Sequence, residues 1–392
     1  MLLDKQKIVF LFSRINDLDH LIPVAYKTSI ENSGVEIMFM PRTEKINFDV
    51  KKFMTYRLID HSPRIKFCNL FYYLRLELFG IDISNITKYL FSSYYSGVFR
   101  KLQNKFMGVS GLAVKLDNNF YSMLDDSELI IFDHQMNEKN VLDRNVIRYI
   151  NNKSMSFISI PHAYWHLKNG INEFKRQYEG VTWMGHNNLV SNSINWTEEF
   201  KETTTQNCLT LKSDRYSKDW YDVYFKKYSN KNRRSEFKVV LFETGGSPYE
   251  RKENLDNEWR LLISSLSGQS FDFNVSCHTR SLLPKSSQKA YSNKPGLVLV
   301  MGCDVIITTY SSMAYDAFLL NKVIIWPTFL GKPTWRSEFD GYSDFYYVNT
   351  IDECISLLAS FLDANKISNT IDVRDEACNG NYISDLILEK IK

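Results

Sequence analysis

The sequence predicts an α/β protein made of two Rossmann-like domains with parallel sheets. Short apolar runs rich in β-branched residues recur along the chain, as at 7–13 (KIVFLFS), 35–41 (VEIMFMP), 128–135 (ELIIFDHQ) and 304–308 (DVIIT). They lack the polar alternation of a half-solvated sheet, as strands buried on both faces do. Segments with helical spacing separate them, which gives the β-α-β order of parallel sheets. With 392 residues and 44% hydrophobic content, the chain is long enough for two domains that each bury a core.

The first strand at 7–13, a helix over 18–33 and a strand at 35–41 form an opening β-α-β unit. It carries no G-x-G-x-x-G, which argues against a dinucleotide cofactor, because close backbone approach to a pyrophosphate needs those glycines. Arg14, Asn16, Asp17 and Asp19 fall in the first strand-to-helix turn. Asp17 and Asp19 have the spacing of a metal-binding D-x-D, but Asp is favoured at helix starts, and capping is the expected role.

Residues 51–120 hold eleven Lys or Arg against four Asp or Glu, with fourteen aromatics. Read as a helical insertion, this segment has two uses. Its cations and rings suit the anionic inner leaflet of a membrane, or its aromatics pack amphipathic helices onto the sheet. Strands resume at 128–135 and at the start of SFISIPHAYWHLKNG, placing Asp133 and His134 at the carboxyl end of one strand and His162 at that of the next. Ligands of open α/β sheets bind at such ends. GVTWMGHNNLVSNSINWTEEFKE, from residue 180, reads as a strand, a Ser/Asn turn and a helix, and 212–236 as a charged, Lys-rich, Gly-free stretch. The domain boundary is placed near 205–236, with domains over 1–210 and 236–372 and a final segment, 373–392, that ends in a helix. The second domain opens with a strand at 237–243 followed by Gly245-Gly246 and a helix. Glu243, Gly245, Gly246 and Arg251 line that first turn, where paired glycines allow a ligand close to the backbone or simply form the turn.

Net charge is +3 with the signs well mixed, which argues against a nucleic-acid binder and leaves room for an anionic substrate in a local pocket. Six scattered cysteines without C-x-x-C spacing suggest neither zinc nor a disulfide framework. Leu2-Leu3 is followed at once by Asp4, Lys5 and Lys7, so no signal peptide is read, and a cytoplasmic location is expected.

Residues 304–328, DVIITTYSSMAYDAFLLNKVIIWPT, compress a buried strand, a hydroxyl-rich turn, a helix and a second buried strand into one unit. Thr309, Tyr310, Ser311 and Ser312 break the strand, and Ser311 or Ser312 is the N-cap of the helix. Free N–H groups and the positive dipole end of such a helix suit a phosphate, although a serine cap without a ligand fits the same local pattern.

This stretch resembles the C-terminal signature of the CDP-glycerol glycerophosphotransferase family, in which Asp304, Thr308, Tyr310, Ser311, Ser312 and Asp316 match. Thr309 replaces the family's usual Asp, and Val323 its Pro. ISIPHAYWHLKNG at 158–170 is similar to the family's strand followed by W-H-G-T-P-L-K-x-x-G, through His162, Leu167, Lys168 and Gly170, with Pro161 for its Trp and Ala163 for its Gly. FNVSCHTRS resembles a third signature, in which His278 follows a strand but lacks the family's proline. The resemblance implies a GT-B fold, two Rossmann-like domains facing a central cleft, with the final helix crossing back to the first domain. It implies a nucleotide-activated donor held by the C-terminal domain, and His162 as general base, a role that suits an imidazole titrating near neutral pH.

His166, one helical turn on, competes for that role. His278 and Arg280 would contact donor phosphate, with Thr309, Tyr310, Ser311, Ser312 and Asp316 at the C-terminal turn and Glu243, Gly245, Gly246 and Arg251 beside it. Lys168, Asp133, His134 and Arg14 are acceptor-side or secondary candidates. No cofactor or metal is required, Mg²⁺ on the donor being optional. The expected reaction moves a polyol phosphate or a sugar from a cytidine- or uridine-nucleotide donor to a bacterial surface glycan or lipid-linked glycan. A CMP- or UDP-sugar glycosyltransferase is the runner-up, followed by a catalytically silent GT-B scaffold. A UDP-sugar epimerase shares the architecture, but no carboxylate-rich set is assignable to it.

Overall fold

The computed structural model describes residues 6–12, 15–41, 59, 62–68, 74–86, 105, 109–133, 141–160, 188–191, 208–211, 213–228, 236–243, 255–277, 294, 296–309, 311, 313–331, 342–364 and 382–391. They fall into two compact units. The first takes the chain to Ile160, the short segments at 188–191 and 208–215, and 382–391; the second runs from Tyr216 to Ala364.

In the first unit β1 (Gln6–Phe12), α1 (Ile15–Glu31) and β2 (Val35–Pro41) form the opening β-α-β. β3 (Ile65–Phe67) follows, then β4 (Leu74–Leu78), β5 (Ile81–Asp82), β6 (Leu112–Leu116), α2 (Asn118–Asp125), β7 (Leu129–Asp133), α3 (Val141–Asn152), β8 (Phe157–Ile160), β9 (Asn188–Ser191) and β10 (Cys208–Leu211). The main sheet has seven parallel strands in the order β10-β9-β8-β7-β1-β2-β3. Winding proceeds outward from β1 through β2 and β3, then restarts at β7 and runs the other way, as in a doubly wound fold. In-register Phe10, Phe39 and Phe67 stack across three neighbouring strands, with centroids 4.9 and 4.7 Å apart. Such cross-strand aromatic pairs fix register.

β4, β5 and β6 form a separate three-stranded antiparallel sheet inside the segment read from composition as helical. The described part of 51–120 is thus mainly strand and turn. Its sequence shows why: LRLEL alternates with period two, sending Leu76 into the core of the first unit with Leu116, while Arg75 and Glu77 pair on the other face at 3.0 Å. Within the stretch read from residue 180, Asn188–Ser191 is a strand, and the rest of that reading lies outside the described residues. One other expectation shifts. Helix α1 begins at Ile15, so Asp19 lies inside it, where its carboxylate pairs with the buried Arg215 at 3.5 Å.

α9 (Ile383–Lys390), the last helix, packs on α1 within this unit. Asp214, in a one-turn 3₁₀ helix at Asp214–Tyr216, accepts the backbone N–H of Ser384 at 3.1 Å and also its hydroxyl. Lys27 of α1 lies over the Tyr382 ring at 4.2 Å.

The second unit contains α4 (Lys218–Tyr228), β11 (Lys238–Glu243), α5 (Leu255–Ser267), β12 (Asp272–Cys277), α6 (Gly296–Met301), β13 (Val305–Thr308), α7 (Met313–Leu319), β14 (Val323–Pro327), β15 (Phe345–Val348) and α8 (Ile351–Asp363). Its five parallel strands run β12-β11-β13-β14-β15. Val239, Leu241, Val305, Ile307, Val323 and Ile325 turn one way, onto Trp259, Leu262, Ile263 and Leu266 of α5 and Cys354, Leu358 and Phe361 of α8. The alternate residues, Val240, Phe242, Ile306, Ile324 and Trp326, are buried as well, and α7 packs on β13 and β14. Burial of both faces is what a run such as VIIT requires. The stretch read as a charged boundary contains α4, which buries Trp220, Tyr221 and Tyr224, an i, i+1, i+4 pattern visible among its lysines. Among the described residues no helix is long and apolar enough to cross a membrane.

Candidate functional site

The strand order of the second unit sets the geometry. The chain enters at β11, steps to β12 on one side, then restarts at β13 on the other, so the topological switch lies between β11 and β13. Helices that leave neighbouring strands in opposite directions open a crevice at the carboxyl ends, and the N–H groups that follow those strands face it. β11 ends at Glu243 and β13 at Thr308, with Phe242 and Thr308 in register. The Thr308 hydroxyl donates to the Phe242 carbonyl at 3.4 Å, tying the two ends together. The end of β11 at Glu243 and the end of β13 at Thr308, where Thr309 follows, are therefore neighbours at the switch point, although 65 residues separate Glu243 from Thr308 in sequence.

Asp304 holds the opposite ends of the same two strands. Its carboxylate accepts the Lys238 N–H at 2.8 Å, and its own N–H donates to the Lys238 carbonyl at 2.9 Å. Four residues at about 3.3 Å each put this staple roughly 13 Å from the switch point. Asp304 thus positions β13 from its far end.

Ser311 is the cap of α7. Its Oγ accepts the Met313 N–H at 3.2 Å and its carbonyl accepts the Ala314 N–H at 3.1 Å, while its own N–H turns back to the Thr309 carbonyl at 2.9 Å. Capping uses a lone pair of the hydroxyl, so its proton still suits an anionic acceptor. Ser311 is partly exposed; Thr309 and Glu243 are buried at the strand ends. Asp316 is fully enclosed one turn into α7 and accepts the Tyr221 hydroxyl of α4 at 3.0 Å. That contact makes Asp316 an anchor for the helix that carries the cap. Tyr216, in the 3₁₀ turn just before α4, meets Tyr315 of α7 edge to face at 4.9 Å. Gly296, at the start of α6, lies close under Met313, where a Cβ would stand 2.6 Å from the Sδ and push that side chain aside. Neither Tyr221 nor Gly296 stands out in the sequence, since their roles depend on which helices meet.

In the first unit the switch lies between β1 and β7, whose carboxyl ends are Phe12 and Asp133. Asp133 stands in register with Ile160, the last residue of β8. Arg14, His134, His162, His166, Lys168, Gly245, Gly246, Arg251, His278, Arg280, Tyr310 and Ser312 lie outside the described residues. Among the described residues no group of three or more His, Cys, Asp or Glu is arranged to hold a metal ion.

No family model matches the sequence, and no curated protein matches it. Solved structures do match by fold. A Listeria monocytogenes protein provisionally designated a UDP-N-acetylglucosamine 2-epimerase is similar at a TM-score of 0.57 and 9% identity, over 100% of this chain and 96% of that one. The Staphylococcus aureus MnaA–UDP co-structure gives 0.55 and 10%, over 99% and 96%. The Methanocaldococcus jannaschii UDP-GlcNAc 2-epimerase, in complex with UDP-GlcNAc and UDP, gives 0.51 and 10%, over 98% and 99%. At such identities the likeness is one of fold, and the fold class is α/β of GT-B type with two Rossmann-like units.

Proposed function

We propose that this chain is a GT-B transferase that binds a nucleotide-activated donor at the switch point of its second unit. It moves a polyol phosphate such as glycerol phosphate, or a sugar, to a bacterial surface glycan or lipid-linked glycan. One observation carries the reading: the capped Ser311 turn and the end of β11 at Glu243 meet at the one place in this sheet where a doubly wound fold opens a ligand crevice. Resemblance of three segments to the CDP-glycerol glycerophosphotransferase family, in the same chain order, supports the polyol-phosphate version.

In this mechanism His162 takes the proton of the acceptor hydroxyl. The acceptor oxygen forms the new bond, to phosphorus for a polyol phosphate or to the anomeric carbon for a sugar. The bond from that centre to the nucleotide's phosphate oxygen breaks, and the electron pair leaves with the nucleotide. The Ser311 and Ser312 hydroxyls, His278 and Arg280 stabilise that charge, so the scheme needs no metal.

A second reading is favoured by the solved structures of similar fold, which are named for UDP or UDP-GlcNAc. It makes the donor a uridine nucleotide-sugar and the reaction sugar transfer or epimerisation. Thermal stabilisation by CDP, CMP, UDP, GDP, ADP and CDP-glycerol separates these readings, because a ligand that binds only the folded state raises the midpoint. Selective stabilisation by a cytidine compound, lost in the Ser311→Ala/Ser312→Ala variant, is the expected result. A uridine preference selects the second reading, and no response to any nucleotide overturns both in favour of a silent scaffold.

A further inference from the structure

The antiparallel sheet of the first unit ends in a turn that folding alone does not explain. β4 and β5 are joined by Phe79 and Gly80, with Leu78 and Ile81 paired across the loop. Both loop residues have positive φ, 50° at Phe79 and 83° at Gly80. A two-residue loop of this kind is a type I′ turn, for which Asn-Gly, Asp-Gly or Gly-Gly is the low-cost sequence. An aromatic residue in the left-handed region is strained; such strain is held by its surroundings and clusters at sites that do something beyond folding.

The Phe79 ring gains little from the fold, because the side chain is 75% exposed. Ile81 beside it is 69% exposed, and Val109, in the turn that leads into β6, 43%. The ring nevertheless has a fixed seat. Gly111, at φ 81°, lies under it, and a Cβ there would stand 2.4 Å from a ring carbon. The Phe79 N–H donates to the Gly111 carbonyl at 3.0 Å, which locks the two turns together. Charges on the sheet behind the tip are consumed internally, Arg75 by Glu77 and Asp82, and Lys115 by Glu77.

Three apolar side chains at one tip fall well short of the roughly 1,200 Å² that a specific protein interface buries. They are enough to enter the acyl boundary of a bilayer when basic charge adds to the attraction. By sequence, segment 51–120 carries eleven Lys or Arg against four Asp or Glu, and among its described residues Lys105, four positions before Val109, is exposed.

We propose that the Phe79–Gly80 turn is a membrane-inserting tip that seats the first unit on an anionic lipid surface. The proposal does not depend on the donor reading, and its test needs no nucleotide. Flotation of the full chain with phosphatidylcholine vesicles, with and without phosphatidylglycerol, measures the partition, and Phe79→Asn is the decisive variant. Asn suits the left-handed turn, so its thermal midpoint should hold or rise while the ring is lost.

The expected result is binding that requires phosphatidylglycerol and weakens in high salt, with a partition reduced about tenfold in F79N. Wild-type protein that floats with neither vesicle, or F79N that binds as well as wild type, overturns the proposal. Self-association in solution that F79N abolishes, without vesicle binding, overturns it in favour of a second copy at the tip.

Discussion

Asp214 shows how one carboxylate ties stability to pH. Burial raises its pKa from 3.8 to about 6, and the two hydrogen bonds from Ser384 and the charge of Lys27 offset only part of that rise. The folded state therefore holds the proton more tightly than the unfolded chain does. Its contribution to stability is fully present below about pH 4 and is lost as pH rises through about 6, a change of about 3 kcal/mol. The thermal midpoint of wild type relative to Asp214→Asn should fall across that interval and be level above it; a constant difference would show that Asp214 does not titrate there. Asp316 is a second buried carboxylate held by a neighbour's hydroxyl, that of Tyr221. Tyr221→Phe removes that donor and should cost about 1–2 kcal/mol in denaturant unfolding, at the helix that carries Ser311. The sequence marked Asp316 as a site residue through its place in a motif. Its partner Tyr221 stayed hidden because 95 residues separate the two.

Elements were most legible where period and burial agree. β1, β2, β7, β11, β13 and β14 are continuous apolar runs, and a strand covered on both faces leaves no other pattern. The small sheet of the first unit was misread because its basic and aromatic content suggested helices, while the alternation in LRLEL, which only a strand exploits, spans just five residues. Gly111 tests that sheet directly. Alanine there meets the Phe79 ring and must adopt φ near 81°, so Gly111→Ala should cost about 1–2 kcal/mol and raise hydrogen exchange in β4 and β6. Gly111→Ala with Phe79→Asn should recover the steric part and leave the backbone part, since only the ring contact is removed.

On the scale of the whole molecule, the C-terminal helix belongs to the unit formed by the start of the chain. α9 packs on α1, Ser384 in its first turn donates to Asp214, and Gln6 of β1 donates to the Ile391 carbonyl. Deleting 380–392 should therefore speed hydrogen exchange throughout the seven-stranded sheet and leave the five-stranded sheet protected, as measured by mass spectrometry. Equal loss of protection in both sheets would contradict this division.

The sequence by itself determined the α/β class, the long apolar strands of the two parallel sheets and the Ser-capped turn after β13, because apolar runs and serine caps act over a few residues. Only the tertiary structure decided that this turn adjoins the end of β11, that α1 is the helix on which α9 settles, and that a strained phenylalanine crowns the small sheet. Those outcomes depend on strand order and on which helices pack together, and both are settled by burial between residues far apart in the chain.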